Sequence, residues 1–145
     1  MPAEENKAVT RRFFEEVFTA GNLKLVDELF APDYVLHDPS VPQEVRGPEG
    51  MRQYVAMYRA AYPDTHFTIE DQIAEGDEVV TRWTGQGTHQ GELMGIAPTG
   101  RAVTVTGIEL DRIVGGKIEE TWVSYDASGM MQQLGVVPSP EQAGA

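Results

Sequence analysis

Three side chains of this 145-residue chain could carry protons on an organic substrate: Glu109, His37 and Asp126. Glu109 sits in an alternating run, Ile108-Glu109-Leu110-Asp111. Held beside Thr121, Val123 and Tyr125, its carboxylate would be partly desolvated. Burial disfavours the charged form, so its pKa would rise toward neutrality, where a general base works best. The competing account is a solvated carboxylate on an exposed sheet face. His37 could be its acid/base partner, because imidazole titrates near neutral pH. Asp33 and Asp38 are placed to tune it, and the alternative is a loop histidine bonded to backbone. Asp126 either lines the site or caps the helix it precedes, and capping is the commoner role for Asp before Ala-Ser.

The remaining candidates are weaker chemically. His89 lies in Gly87-Thr88-His89-Gln90-Gly91, where stabilising a turn is the preferred role. His66 stands alone at a strand start. Three histidines this scattered show no metal-ligand spacing. No serine-nucleophile motif and no phosphate-binding glycine loop is present. Tyr34, Met57, Tyr58, Trp83, Met94 and Tyr125, with Thr121 and Val123, could line an apolar ligand pocket, though such residues otherwise fill a core.

The element that must position Glu109 is a hairpin. Arg101 to Val114 forms one strand, Val114-Gly115-Gly116-Lys117 the turn, and the second strand runs to Asp126. Gly-Gly supplies the positive φ that tight hairpin turns need. A two-residue turn would set Asp111 against Glu120, a like-charge pair. A three-residue turn pairs Val114 with Ile118, Arg112 with Glu120 and Leu110 with Trp122, and this register is preferred. One face then carries Ile108, Leu110, Ile118 and Trp122, and the other Glu109, Asp111, Thr121, Val123 and Tyr125. Val103 and Val105 have the opposite parity to Ile108 and Leu110, so a bulge is expected at Gly107.

Elsewhere, Glu4 to Ala20 predicts an amphipathic helix with Val9, Phe13, Phe14, Val17 and Phe18 in one stripe, ended by Gly21. Asn22 caps a shorter helix, stopped by Pro32. Asp33 to Pro39 is extended. Gly47-Pro48 opens a third helix, whose face holds Tyr54, Met57, Tyr58 and Ala61 and which Tyr62-Pro63-Asp64 closes. Strands follow over His66–Ile73 and Glu78–His89. In the first, Phe67, Ile69, Asp71 and Ile73 share a parity. A Gly/Pro loop with Leu93, Met94 and Ile96 leads to the hairpin, and Ser128 to Leu134 is a final helix. Helices first and a meandering sheet after make an α+β fold, a curved sheet wrapped with helices as a cone.

Length fits one domain over residues 1–137, with a loose tail at 138–145. The net charge of -12 argues against nucleic acid and anionic membrane, which need a basic footprint. There are no cysteines. With no signal-peptide pattern and no run long enough to span a bilayer, a cytoplasmic setting is expected.

Several segments together resemble a family. They are Asp33-Tyr34-Val35-Leu36-His37-Asp38-Pro39, Tyr62-Pro63-Asp64, Gly76-Asp77-Glu78-Val79-Val80-Thr81-Arg82-Trp83, Gly87-Thr88-His89-Gln90-Gly91, Gly95-Ile96-Ala97-Pro98-Thr99-Gly100, Gly116-Lys117-Ile118 with Trp122, and Gln133-Leu134-Gly135. In this order, over nearly the whole chain, they resemble the SnoaL-like polyketide cyclases of the nuclear transport factor 2-like superfamily. The resemblance implies an α+β cone, a small-molecule pocket, often a homodimer, and no metal or organic cofactor. Its anthracycline cyclases close a ring by aldol condensation with an aspartate on the last strand and a histidine on the strand before. Those positions are Val123 and Glu109 here. Valine cannot move a proton, so the cyclases' own mechanism does not carry over.

Two functions follow. One is an enzyme working by proton transfer on a hydrophobic carbonyl or polyketide-type compound (aldol cyclisation, isomerisation or hydration), with Glu109 as base and His37 assisting. The other is a non-catalytic module that binds a small hydrophobic ligand. The face carrying Trp122 is expected to be buried in a two-fold homodimer.

Overall fold

The computed structural model describes residues 2–41 and 43–136. The tail expected after Val137 lies outside the described residues. The chain opens with α1 (Pro2–Arg12), which continues as a π-helix over Phe13–Thr19. Phe13, Phe14, Val17 and Phe18 are buried there, two pairs that bracket the outward-facing Glu15 and Glu16. The Arg59 guanidinium donates to the carbonyls of Phe18 and Thr19 at 2.8 and 2.6 Å, satisfying two of the groups that a helix end leaves open. A 3-10 turn, Leu23–Leu25, and the short α2 (Val26–Leu29) follow. Asn22 makes no side-chain cap, contrary to expectation. The chain turns extended at Phe30 rather than at Pro32.

Six strands form one curved, unclosed sheet. They are β1 (Phe30–His37), β2 (Val45–Arg46), β3 (His66–Glu75), β4 (Glu78–Thr88), β5 (Ala102–Val114) and β6 (Lys117–Tyr125), in the order β2-β1-β6-β5-β4-β3. Strands β3 to β6 are the expected antiparallel meander. β1 adds to β6 in parallel, which places Tyr34 on the same sheet as the hairpin. Helix α3 (Gly47–Ala61) packs across β1, and α4 (Ala127–Leu134) against β5. Gly135, in the left-handed region at φ 79°, ends α4.

The hairpin register confirms three expected pairs: Glu109 with Val123, Leu110 with Trp122, and Arg112 with Glu120. The turn differs. Val114 pairs with Lys117, so the loop is the two-residue Gly115-Gly116, with φ of 60° and 79°. Glu119 then bulges out and restores the charge-paired register beyond it, since Ile113 faces Ile118 and Arg112 faces Glu120. The bulge carries Ile118 to the core side, where it is fully buried, instead of the face of Trp122.

No bulge occurs at Gly107. Burial alternates without a break along β5, so Val103, Val105, Glu109, Asp111 and Ile113 share the inner face. Gly107 is required for a different reason: a Cβ there would lie 2.3 Å from the Trp83 ring. In β3 the pairing shifts between Ile69 and Asp71, which turns Ile73 outward.

Candidate active site

The π-helix, α3 and the inner sheet face enclose a cavity of about 90 Å³. Phe14, Phe18, Tyr54, Tyr58, Trp83 and Tyr125 are among its walls, and Glu109 is the single ionisable carboxyl in its lining. The volume suits several waters, at roughly 10–15 Å³ each. A multi-ring ligand must therefore displace side chains at the rim.

Glu109 is 6 % exposed and reaches the cavity because its strand alternates in and out without interruption. Two residues along the same face, Asp111 is fully buried. Thr10 Oγ1 on α1 donates to its Oδ2 at 3.1 Å, and Thr121 Oγ1 on β6 to its Oδ1 at 2.5 Å. Glu109 and Asp111 are near enough on this face for each to perturb the other's ionisation. Burial first, and then the neighbouring carboxylate, pushes the Glu109 pKa well above the usual carboxyl range. Asp111 is also raised by burial, against the pull of its hydrogen bonds. Two buried carboxyls that perturb one another titrate as a pair. Asp111 has the hydroxyl donors that suit an anion, which favours Glu109 as the member of the pair that keeps a proton.

Other polar groups surround this pair. Tyr34, on β1, is buried near both carboxyls, and burial raises its phenol further above its ordinary value. Among the described residues, the hydroxyls of Tyr34 and Tyr62 and Nε1 of Trp83 have no hydrogen-bond partner. All three belong to residues of the cavity wall. Buried donors without partners are costly, and a ligand's oxygen atoms would satisfy them.

Toward the loop after β1 lies a second polar group. Asp38 accepts from Ser40 N at 2.8 Å, Ser40 Oγ at 2.7 Å and Tyr54 OH at 2.8 Å. Ser40 Oγ lies 2.7 Å from Tyr125 OH, which lies 2.8 Å from Tyr58 OH. Burial raises the phenol pKa of Tyr54, Tyr58 and Tyr125, so all three stay protonated.

Of the residues expected from sequence, the cavity brings together Glu109, Tyr34, Tyr58, Trp83, Val123 and Tyr125. Thr121 stands behind it, bonded to Asp111. His37 does not join Glu109. It lies on the opposite sheet face, stacked on Trp122 at 5.4 Å and bridging Glu44 and Glu120 at 2.9 and 2.6 Å. The parity of β1 explains this, since Tyr34 and Leu36 point inward and His37 outward. Asp126 is the N-cap of α4, accepting from Gly129 N at 2.8 Å. Met94 is exposed in its loop, and Met57 packs against the core outside the cavity wall. His89 is buried, its Nδ1 accepting from Thr99 N, as a turn-stabilising role predicts.

Sequence reasoning overlooked Asp38, Ser40 and Tyr54 as one network, and Asp111 as the partner of Glu109. The signals were present. Asp-Pro-Ser is a side-chain-capped turn, Tyr54 and Tyr58 are one helical turn apart, and Asp111 is two residues from Glu109 on one strand face.

Comparison with known proteins shows the family and the fold. Residues 8–134 match the family model described as SnoaL-like polyketide cyclase. The chain is 33 % identical over 129 residues to nogalonic acid methyl ester cyclase of Streptomyces nogalater, covering 88 % of this chain and 95 % of that one. It is 33 % identical over 138 residues to an aklanonic acid methyl ester cyclase of Streptomyces galilaeus, covering 94 % of each. Among solved structures, a Jannaschia protein described as a SnoaL-like polyketide cyclase superposes with a TM-score of 0.85 at 25 % identity, over 94 % of this chain and 95 % of that one. A Catenulispora acidiphila protein with a ketosteroid isomerase-like fold has a TM-score of 0.75 at 22 % identity, over 88 % of this chain and 92 % of that one. The chain belongs to the SnoaL-like polyketide cyclase family.

Proposed function

We propose that this chain is a cyclase that closes a ring in an apolar carbonyl compound, with Glu109 as its proton-donating group. The observation that carries the reading is a buried carboxyl, Glu109, on the wall of an aromatic cavity, with a second buried carboxyl, Asp111, two residues along the same strand face. In an aldol closure an enolate carbon attacks a second carbonyl, whose oxygen becomes an alkoxide. Glu109 supplies the proton that neutralises that oxygen, and Asp111 stabilises the proton on Glu109 beforehand. Glu109 thus enters as an acid and becomes a base only after donation, the reverse of the order expected from sequence. Tyr34, Tyr62 and Trp83 supply donors to the remaining oxygens of the substrate, and the aromatic walls hold its rings.

The methyl esters of nogalonic and aklanonic acids, named for the curated relatives, are the first compounds to test. Wild-type protein should convert at least one to a ring-closed product, and Glu109→Gln should slow this by about 10²–10⁴-fold. Full turnover by the variant would remove Glu109 from the role. A second reading, ligand binding without turnover, is favoured by Val123 at the position the resemblance assigns to the cyclases' aspartate. It predicts tight binding of these esters with no product.

The protein is further read as a homodimer. The outer sheet face exposes Ile73, Val80, Ile108 and Trp122 to 69, 37, 52 and 40 %. Large apolar side chains clustered on one face suit a two-fold contact better than water.

A further inference from the structure

Val123 leaves the proposed ring closure without a base on β6, and the structure offers one from another element. We propose that Asp38 is the terminal proton acceptor of this site, reached from the cavity through hydroxyl chains rather than by direct contact. The inference rests on the cyclase reading above.

The chain has a direction. Ser40 Oγ donates its only proton to Asp38, so it accepts from Tyr125 OH. Tyr125 has then spent its own proton and accepts from Tyr58. Tyr54 reaches Asp38 directly. Every hydroxyl proton in the network points toward Asp38, whose two oxygens only accept, the pattern of a carboxylate. The oxygens of Tyr54 and Tyr58 therefore accept nothing within the network and keep lone pairs free, and both residues form part of the cavity wall. Asp38 is 6 % exposed, but it also borders an open groove on the other side of the sheet, with Pro39 and Trp122. One end of the network meets the ligand space and the other meets solvent.

A C–H bond next to a substrate carbonyl breaks, and its electron pair stays on the substrate as an enolate. The proton goes to the oxygen of Tyr54 or Tyr58 as that phenol passes its own proton onward. From Tyr54 it reaches Asp38 at once. From Tyr58 it passes by way of Tyr125 and Ser40. No tyrosine becomes charged, which burial would resist. The enolate carbon then attacks the second carbonyl, and Glu109 protonates the alkoxide. Asp38 gives its proton to water in the groove, and Glu109 takes one from water that enters the cavity as product leaves, so the cycle consumes nothing.

The alternative is that Asp38 only shapes its turn, since Ser40 N also bonds to it. Asp38→Asn separates the two, because an amide oxygen keeps that turn bond but is a far weaker base. Ser40→Ala combined with Tyr54→Phe cuts both hydroxyl routes and leaves the carboxylate in place. With aklanonic acid methyl ester in D₂O as probe, proton NMR follows replacement of the hydrogens next to its carbonyls, and chromatography follows ring closure. Wild-type protein should exchange and close. Asp38→Asn and the double variant should slow exchange by about 100-fold or more, while melting within about 3 °C of wild type. Glu109→Gln should still exchange but not close. Wild-type exchange by the double variant overturns the assignment of Asp38, even if Asp38→Asn fails to fold. A wild-type protein that neither exchanges nor closes the probe overturns the cyclase reading and this one together. A wild type that closes it, with Asp38→Asn exchanging normally, overturns this inference alone.

Discussion

Glu109 and Val123 are cross-strand partners on β5 and β6, and both face the cavity. A buried carboxyl whose pKa is raised and a side chain that cannot hold a proton thus share the position where the resemblance places two acid/base groups. On the reading proposed above, the chemistry falls on Glu109 and on the network that ends at Asp38.

Glu109 and Asp111 both have pKa values raised on folding, so their contribution to stability has one sign. It is fully present below the unfolded carboxyl value, roughly 4, and is lost as pH rises toward the raised folded values. Glu109→Gln removes much of that loss. Its melting temperature should match or exceed wild type at pH 8 and fall relative to wild type near pH 4. Thermal melts across this range check it, and a variant less stable at pH 8 than at pH 4, relative to wild type, would contradict it.

Val123→Asp should not restore a cyclase-like pair. It buries a third carboxyl beside two others and should cost on the order of 3 kcal/mol at neutral pH. Protonation should relieve the cost in acid. Urea unfolding at two pH values tests this, and an unchanged midpoint at pH 7 would show that the cavity hydrates freely.

Gly107→Ala should displace the Trp83 ring, since the added Cβ falls within 2.3 Å of it. Overpacking of this kind costs about 1–3 kcal/mol. Tryptophan fluorescence should shift as Trp83 moves from the wall, and an unaltered spectrum would mean that the sheet absorbs the methyl group instead.

The hairpin shows what the sequence made legible and what it did not. Charge pairing and parity were enough to match Leu110 with Trp122 and Arg112 with Glu120. They could not reveal that a two-residue turn and a bulge at Glu119 reach the same register, because both routes satisfy the same charges. The price of the missed bulge was one residue, Ile118, assigned to the wrong face. Asp111 was seen on the inner face, but its donors come from α1 and β6, and that convergence is tertiary. Asp38 was read as a neighbour of His37. Alternation along β1 sends His37 outward, and the turn after the strand folds Asp38 back beneath Tyr54, which local spacing does not encode.

Trp122→Ala should weaken self-association. Wild-type protein should scatter light as a dimer at micromolar concentration, and the variant should shift toward monomer. A wild-type monomer, or a dimer indifferent to the substitution, would count against the outer face as an interface.

The protonation state of Glu109 bears most directly on the account. Infrared difference spectra in D₂O, wild type against Glu109→Gln at neutral pD, isolate the carbonyl stretch of a protonated carboxyl from the carboxylate bands. The account predicts such a stretch in wild type, absent in the variant and persisting well above the ordinary titration range of glutamate. A wild-type spectrum with only carboxylate bands at neutral pD would contradict it.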